Sequence, residues 1–346
     1  MQFFMTQKQF IHLFLIVLIC IIKPSYAAVI LQYHHVSETL PRVTSVTEQE
    51  FEQHMAYLKT HQFTVLPLDE IVNAVKNKTP LPEKTVAITF DDGYKNNFTA
   101  AAPILEKYGY PYTIFVNPKL IDENAHYLMT WEELRKLASK GALIANHSAR
   151  HDYLHHKLAN ESTADWLVRL EQDIVVSEQR IKQEIGHNYQ YLAYPYGEFN
   201  QAIENLLVKL NFVGFGQHSG AFGNLSELTR IPRFPASGRY ANLSALRDKL
   251  NSLPFSYVIQ QEPVTHSRKP EVSIHFEDMP FNREQLVCYI SGQGKGEATW
   301  ISEHELVVKP NKALSTGRAR YNCTAPNKKK PNRYHWLSVP WVILSE

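Results

Sequence analysis

Residues 86–96 read VAITFDDGYKN, and two carboxylates, Asp91 and Asp92, close an otherwise apolar, β-branched run. Adjacent like charges at the end of a buried strand repel each other and lose hydration. A cation held by one of them removes that repulsion. Neighbours within a strand face opposite sides, but the chain turns at Gly93, where both carboxylates can reach one site. Further on, IANHSARHDYL places His147 and His151 four residues apart after another strand-like run. One helical turn between them would present both imidazoles to a single metal. With Asp92 they supply two nitrogens and one carboxylate, which leaves coordination positions for water and substrate. Asp91, beside the metal but not ligating it, is then placed to act as general base on a water whose pKa the metal lowers. ILQYHHVS adds His34 and His35 at the end of the first strand-like run, and alternation points one of them inward, where it can protonate a leaving group. The plain alternative for each of these histidines is a satisfied loop or surface residue.

These groups need a scaffold that gathers strand ends. From Ala28 to about Leu253 the sequence alternates between strand-like runs (AVILQY, TVLPL, KTVAITF, YTIFV, ALIAN, QYLAYP, FVGFG) and helical stretches. Two helices open with capping boxes, Thr47 with Glu50 and Thr130 with Glu133. The longest helical stretch, residues 161–186, carries Trp166, Leu170, Ile174, Ile181 and Ile185 at helical spacing and ends on Gly186. Repeated strand–helix units imply a parallel sheet, as a barrel or an open doubly wound sheet. In a barrel, catalytic groups sit at the C-terminal strand ends, where Asp91, Asp92 and His147 fall. No nucleotide-binding glycine fingerprint follows the first strand, and the glycine-rich GFGQHSGAFG reads as a mobile loop. Beyond Glu271 short alternating segments replace helical periodicity, which predicts a small all-β, sandwich-like domain. Trp300, Tyr334, Trp336 and Trp341 are either its core or a sugar-stacking face, core packing being favoured. The organisation expected is a signal peptide over 1–27, a catalytic domain over 28–253, a linker over 254–265 and a small β domain over 266–346.

The N-terminal stretch has one cation, Lys8, then the apolar IHLFLIVLICII and small residues at Ser25 and Ala27, the pattern of a cleaved secretory signal. An uncleaved anchor is the alternative, although the apolar run is short for a span. Export implies a periplasmic or secreted protein. Without residues 1–27, Lys and Arg fall from 36 to 34, against 34 Asp and Glu. That neutrality argues against nucleic acid as a partner. Cys288 and Cys323 remain and can form one disulfide in an oxidising compartment.

TFDDG, HSARH and YPYG together resemble the polysaccharide deacetylase family, carbohydrate esterase family 4, over roughly residues 28–240. The resemblance implies a distorted (β/α) barrel of seven strands, with Asp91 as base and Asp92, His147 and His151 as ligands of a divalent metal. Zinc is the default, and cobalt, nickel or iron would also fit. The layout is most similar to the permuted poly-N-acetylglucosamine deacetylase branch, in which the acid histidine comes from an N-terminal YH segment. Here that implies His34, with His35 as runner-up. YLAYPYG matches the motif whose backbone N–H helps hold the oxyanion, which implies Tyr196. The family's common form has an arginine where this chain has Ala193, and Arg233 or Arg230 of RIPRF could replace it in orienting Asp91. The usual late histidine motif is missing, and His218 is the only nearby candidate.

The implied reaction removes N-acetyl groups from an N-acetylated polysaccharide such as poly-N-acetylglucosamine or chitin, with possible envelope or polysaccharide association through the C-terminal β domain. An O-acetyl ester hydrolase uses the same site, and an inactive glycan-binding module would be expected to lose one of these groups. A non-haem iron oxygenase also uses two histidines and a carboxylate, but on an antiparallel β scaffold.

Overall fold

The structure, a computed structural model, describes residues 27–263 and 267–344. The signal peptide expected at 1–27 lies outside the described residues, Ala27 excepted. Seven parallel strands form the central sheet: β1 (Ala28–Tyr33), β2 (Thr85–Phe90), β3 (Thr113–Val116), β4 (Leu143–Asn146), β5 (Tyr191–Ala193), β6 (Val213–Phe215) and β7 (Phe234–Pro235). Their order is β7-β1-β2-β3-β4-β5-β6, with the short strand Thr64–Val65 also paired to β2. The sheet curls on itself. Phe215 of β6 bridges Ile231, and three residues later Phe234 pairs with Leu31 of β1. Residues 231–235 therefore close the distorted barrel. Every residue of β1 and β2 is buried, as continuous apolar runs in a parallel sheet covered on both faces require.

Helices pack outside. Both capping boxes form, at Thr47/Glu50 and Thr130/Glu133. The helix Thr163–Ile185 buries Trp166, Leu170, Ile174 and Ile181, and ends on Gly186 at φ 90°. The glycine-rich stretch is not a mobile loop. Its turn is packed under the C-terminal sheet, with His218, Ser219, Gly220 and Ala221 buried. A Cβ at Gly214 would lie 2.2 Å from the Thr229 carbonyl oxygen, so glycine is there for close backbone approach.

The C-terminal part has two mainly antiparallel sheets around their own core, including Phe276, Tyr321, Val339 and Trp341. One runs Ser252–Leu253, Tyr334–Ile343, Gly317–Pro326, Val287–Ile290, Gly294–Lys295, and its first pairing is parallel. The other runs Tyr257–Gln261, Val272–Phe276, Glu305–Lys309, Glu297–Trp300. This corrects the expected linker: Tyr257–Gln261, inside 254–265, is a strand hydrogen-bonded to Val272–Phe276. Its apolar residues Tyr257 and Ile259 pack on the core of these sheets. Residues 264 and 265 lie outside the described residues. Cys288 and Cys323 face each other across neighbouring strands and are disulfide-bonded. The four aromatics do not make one face. Trp341 is buried, Trp300 packs on Phe276, and Trp336 meets Phe234 of β7 at 5.2 Å, while Tyr334 is exposed.

Candidate active site

The ladder continues past β2, with Asp91 N–H donating to the Tyr33 carbonyl at 3.0 Å. Asp91 is thereby held inside the barrel and is fully buried. Asp92 then takes a left-handed backbone, φ 71°, which aspartate tolerates better than most residues. Gly93 follows at φ 69°, where a Cβ would also press on Val116 at 3.0 Å. This double turn lets adjacent carboxylates serve one site.

Arg233, also fully buried, grips Asp91 with both terminal nitrogens, Nη1 to Oδ1 at 2.6 Å and Nη2 to Oδ2 at 2.9 Å. Its Nε donates to the Gly216 carbonyl at 2.9 Å, and its guanidinium lies over the Phe115 ring at 5.2 Å. Gln32 Nε2 donates to Asp91 Oδ2 at 2.6 Å. Burial alone would raise the Asp91 pKa; the charges of Arg233, His147 and His34 overcome it and bring it down to about 2.

Asp92 Oδ1 lies 3.2 Å from His147 Nε2 and 3.3 Å from His151 Nε2. The three potential ligand atoms are within 4.8 Å of one another. His147 Nδ1 is 2.7 Å from the Ala193 carbonyl oxygen, which can only accept, so the ring must donate from Nδ1. In the neutral ring, Nε2 then presents a lone pair to the Asp92 carboxylate. Both atoms are buried without a well-formed hydrogen bond. Two acceptors facing each other need a positive charge between them, either a proton or a metal ion. The donor set of two imidazoles and one carboxylate suits a divalent cation, so the residues fit the metal that the sequence implies. Burial depresses the His147 pKa, but Asp92 and Asp91 outweigh it and raise it, so a proton competes for the place a cation would take. His151 goes the other way: burial and the neighbouring His147 lower it to about 4, which keeps it neutral and able to ligate.

The expected helical turn between the histidines is absent. Residues 147–151 form a loop in which Ser148 and His151 are left-handed, at φ 66° and 61°. Side-chain amides hold it. Asn117 donates to the carbonyls of His147 (2.6 Å) and Ser148 (3.2 Å), and Asn146 Oδ1 accepts from Ser148 N–H at 2.8 Å. Asp173 of the long helix accepts from Ala149 N–H at 3.1 Å. Burial raises the Asp173 pKa to about 6 despite that bond.

His34 Nε2 is 4.0 Å from Asp91 Oδ2, at the mouth of the site. His35 points elsewhere, stacked on Tyr94 at 3.7 Å with its Nδ1 3.1 Å from the Asn96 amide. Burial, then His34, lowers its pKa to about 4. Tyr196 sits in the turn after β5 with φ 59°, its ring edge-on to His151 at 4.4 Å and stacked on Tyr153 at 3.9 Å. Arg230 does not reach Asp91. It is taken by Glu204, Glu227 and Glu262. His218 is buried behind Arg233, to whose N–H its carbonyl accepts. Sequence reasoning missed Gln32, Asn117, Asn146 and Asp173. Gln32 and Asn146 left a signal, each as the one amide in its strand-like run, AVILQY and ALIAN.

The sequence pattern of the family described as Polysaccharide deacetylase matches residues 78–215. The chain is 31% identical over 201 residues to poly-beta-1,6-N-acetyl-D-glucosamine N-deacetylase of Staphylococcus epidermidis, covering 56% of this chain and 68% of that protein. It is 23% identical to the protein of the same name from Escherichia coli (strain K12), over 91% of this chain and 53% of the relative. The chain thus spans about half the length of the latter. Among solved structures, Streptococcus pyogenes deacetylase PplD in complex with acetate superposes with TM-score 0.59 at 21% identity, covering 66% of this chain and 99% of that one. IcaB from Ammonifex degensii gives 0.56 at 20%, covering 64% and 97%. At these identities the superpositions establish the barrel fold.

Proposed function

The chain belongs to the polysaccharide deacetylase family, and from that premise we propose that it hydrolyses N-acetyl groups on an N-acetylated polysaccharide of the poly-N-acetylglucosamine or chitin type. The observation that carries this is the pairing of two unlike carboxylates. Asp91 is clamped and ionised by Arg233, while Asp92 shares a cation-demanding space with His147 and His151.

Asp92, His147 and His151 would hold a divalent metal, zinc by default, which supplies a water of lowered pKa and polarises a carbonyl. Asp91, kept ionised by the Arg233 fork, accepts the proton of the attacking water. Gln32 and Arg233 fix its oxygens, so the base is oriented before substrate arrives. The Tyr196 N–H lies in the turn beside His151 and serves the developing oxyanion. His34, partly exposed at the mouth, gives a proton to the departing amine. Products are acetate and a free amino sugar. Export to the periplasm or medium belongs to the same reading, supported by the apolar N-terminal stretch and by a disulfide that persists under oxidising conditions.

The test is acetate release from N-acetylglucosamine oligomers by the chain without residues 1–27, metal-loaded and chelated, beside Asp91→Asn. Release that requires both metal and Asp91 is expected. Release that survives chelation or Asp91→Asn would refute the mechanism. Release from O-acetylated but not N-acetylated oligomers would reassign the substrate.

A further inference from the structure

The face that carries Tyr196 continues onto the C-terminal sheets. A groove of about 350 Å³, open mouth included, runs from Tyr196 and Glu198 past Gln217 to Arg318, Arg320 and Trp341. Tyr196 belongs to both places: its ring meets His151, and its carbonyl accepts from Arg318 Nη1 at 3.2 Å. The groove is therefore contiguous with the metal-binding triad, and a polymer reacting there has its neighbouring sugars beside it.

The charges in the groove do not balance. Glu198 is nearly buried; its Oε1 lies 3.5 Å from Arg318 Nε and its Oε2 3.0 Å from His155 Nδ1. That accounts for Arg318. Arg320, two residues along the same strand and so on the same face, is partly buried. Among the described residues no carboxylate lies within ion-pair distance of it, and no hydrogen bond engages its guanidinium. Its charged neighbours, Arg318 and Arg239, are cations, and Arg239 lies over the Tyr240 ring at 4.9 Å. Burial, then those two arginines against the phenol of Tyr240, lower its pKa. His218, which also lines the groove, adds no charge, because burial first and Arg230 next hold it down to about 3. A partly desolvated guanidinium without an anion is unfavourable, and its planar fork matches a carboxylate or a phosphate.

We propose that this groove is a subsite for an anionic group, a carboxylate or a phosphate ester, carried on the glycan outside the sugar that reacts, with Arg320 as its bidentate partner. The assignment rests on the deacetylase reading above and adds to it a substrate that is acidic near its N-acetyl groups.

The test is calorimetric titration of the metal-loaded chain with an N-acetylglucosamine pentamer, the same pentamer bearing a C6 carboxylate, and one bearing a C6 phosphate. At least one anionic pentamer should bind about tenfold or more tighter than the neutral one at low salt. That advantage should shrink in 0.5 M salt (about a 4 Å screening length) and vanish in Arg320→Gln. Which anion gains tells an acidic sugar from a phosphorylated one. Equal or absent binding of all three by the wild type, or an advantage that survives Arg320→Gln, overturns the assignment. Should Arg320→Gln fail to fold, Arg320→Lys carries the test, since a point charge holds a planar oxyanion less well than the fork; an undiminished advantage there also overturns it. Acetate release is scored in parallel. Its absence from every pentamer refutes the deacetylase reading, whereas release with no anionic preference in binding refutes the subsite alone.

Discussion

Replacing Arg233 with methionine should do more damage than its distance in sequence from Asp91 suggests. The two side chains are fully buried and joined by two hydrogen bonds. Removing one partner of such a pair leaves an uncompensated charge and costs about 3–5 kcal/mol. The lowered pKa of Asp91 gives a second figure from the same geometry. A fall from the ordinary 3.8 to about 2 corresponds to about 2–3 kcal/mol that folding gains from an ionised Asp91. Because the folded pKa is the lower one, that contribution is present above the unfolded value and disappears as pH falls through about 2. In Arg233→Met burial acts unopposed by the arginine, the pKa of Asp91 rises, and the sign inverts: the buried carboxylate now costs stability at neutral pH. Urea melts at pH 7 should show Arg233→Met less stable than wild type by about 3–5 kcal/mol. The double variant Arg233→Met/Asp91→Asn should recover about 2–3 kcal/mol of the loss, because a neutral amide needs no counter-charge. A double variant as unstable as Arg233→Met would refute the charge-pairing account and leave only lost packing around Phe115 and Gly216.

Other outcomes follow from the same geometry. Metal binding should raise the melting temperature of the wild type but not of His147→Ala or Asp92→Ala, and the affinity measured by titration should weaken on acidification as a proton takes the cation's place on His147 Nε2. Asp173, held up to about 6 mainly by burial, costs stability above that pH and less as pH falls toward the unfolded value. Asp173→Asn should therefore stabilise by about 2–3 kcal/mol at pH 8 and by little at pH 4, read by urea melts. Cys288→Ala/Cys323→Ala should lower stability by about 2–5 kcal/mol, as should reduction of the wild type. Gly214→Ala should destabilise strongly, since its Cβ would meet the Thr229 carbonyl oxygen at 2.2 Å.

The parts of the site legible in the sequence were those written contiguously. TFDDG and HSARH each carry their groups within five residues, and a strand end delivers them together whatever the details of the turn. What the turn looks like was not legible. Four-residue spacing suggested a helix between His147 and His151, but left-handed Ser148 and His151, secured by the adjacent Asn146 and by Asn117 from the preceding strand–helix junction, make it a loop. Arg233 could be nominated only as one of two arginines. The choice between it and Arg230 depends on which side chain faces the barrel interior, and Glu204 claims the other. The strand Tyr257–Gln261 was hidden because the apolar Val258 sits on its exposed side, between Tyr257 and Ile259 that pack on the core, and so masks the apolar alternation that marks a half-buried strand.

The segment 231–235 was described as the piece that shuts the barrel, and it is also the piece that brings Arg233 to Asp91. These partners stand 142 residues apart. The histidine loop, the aspartate turn and the strands beneath them can all be in register before that last segment docks, yet Asp91 would then lack its guanidinium. Under the proposed mechanism, structural completion and chemical competence coincide in one contact. An immature barrel would leave Asp91 without that counter-charge, a safeguard written into the topology itself.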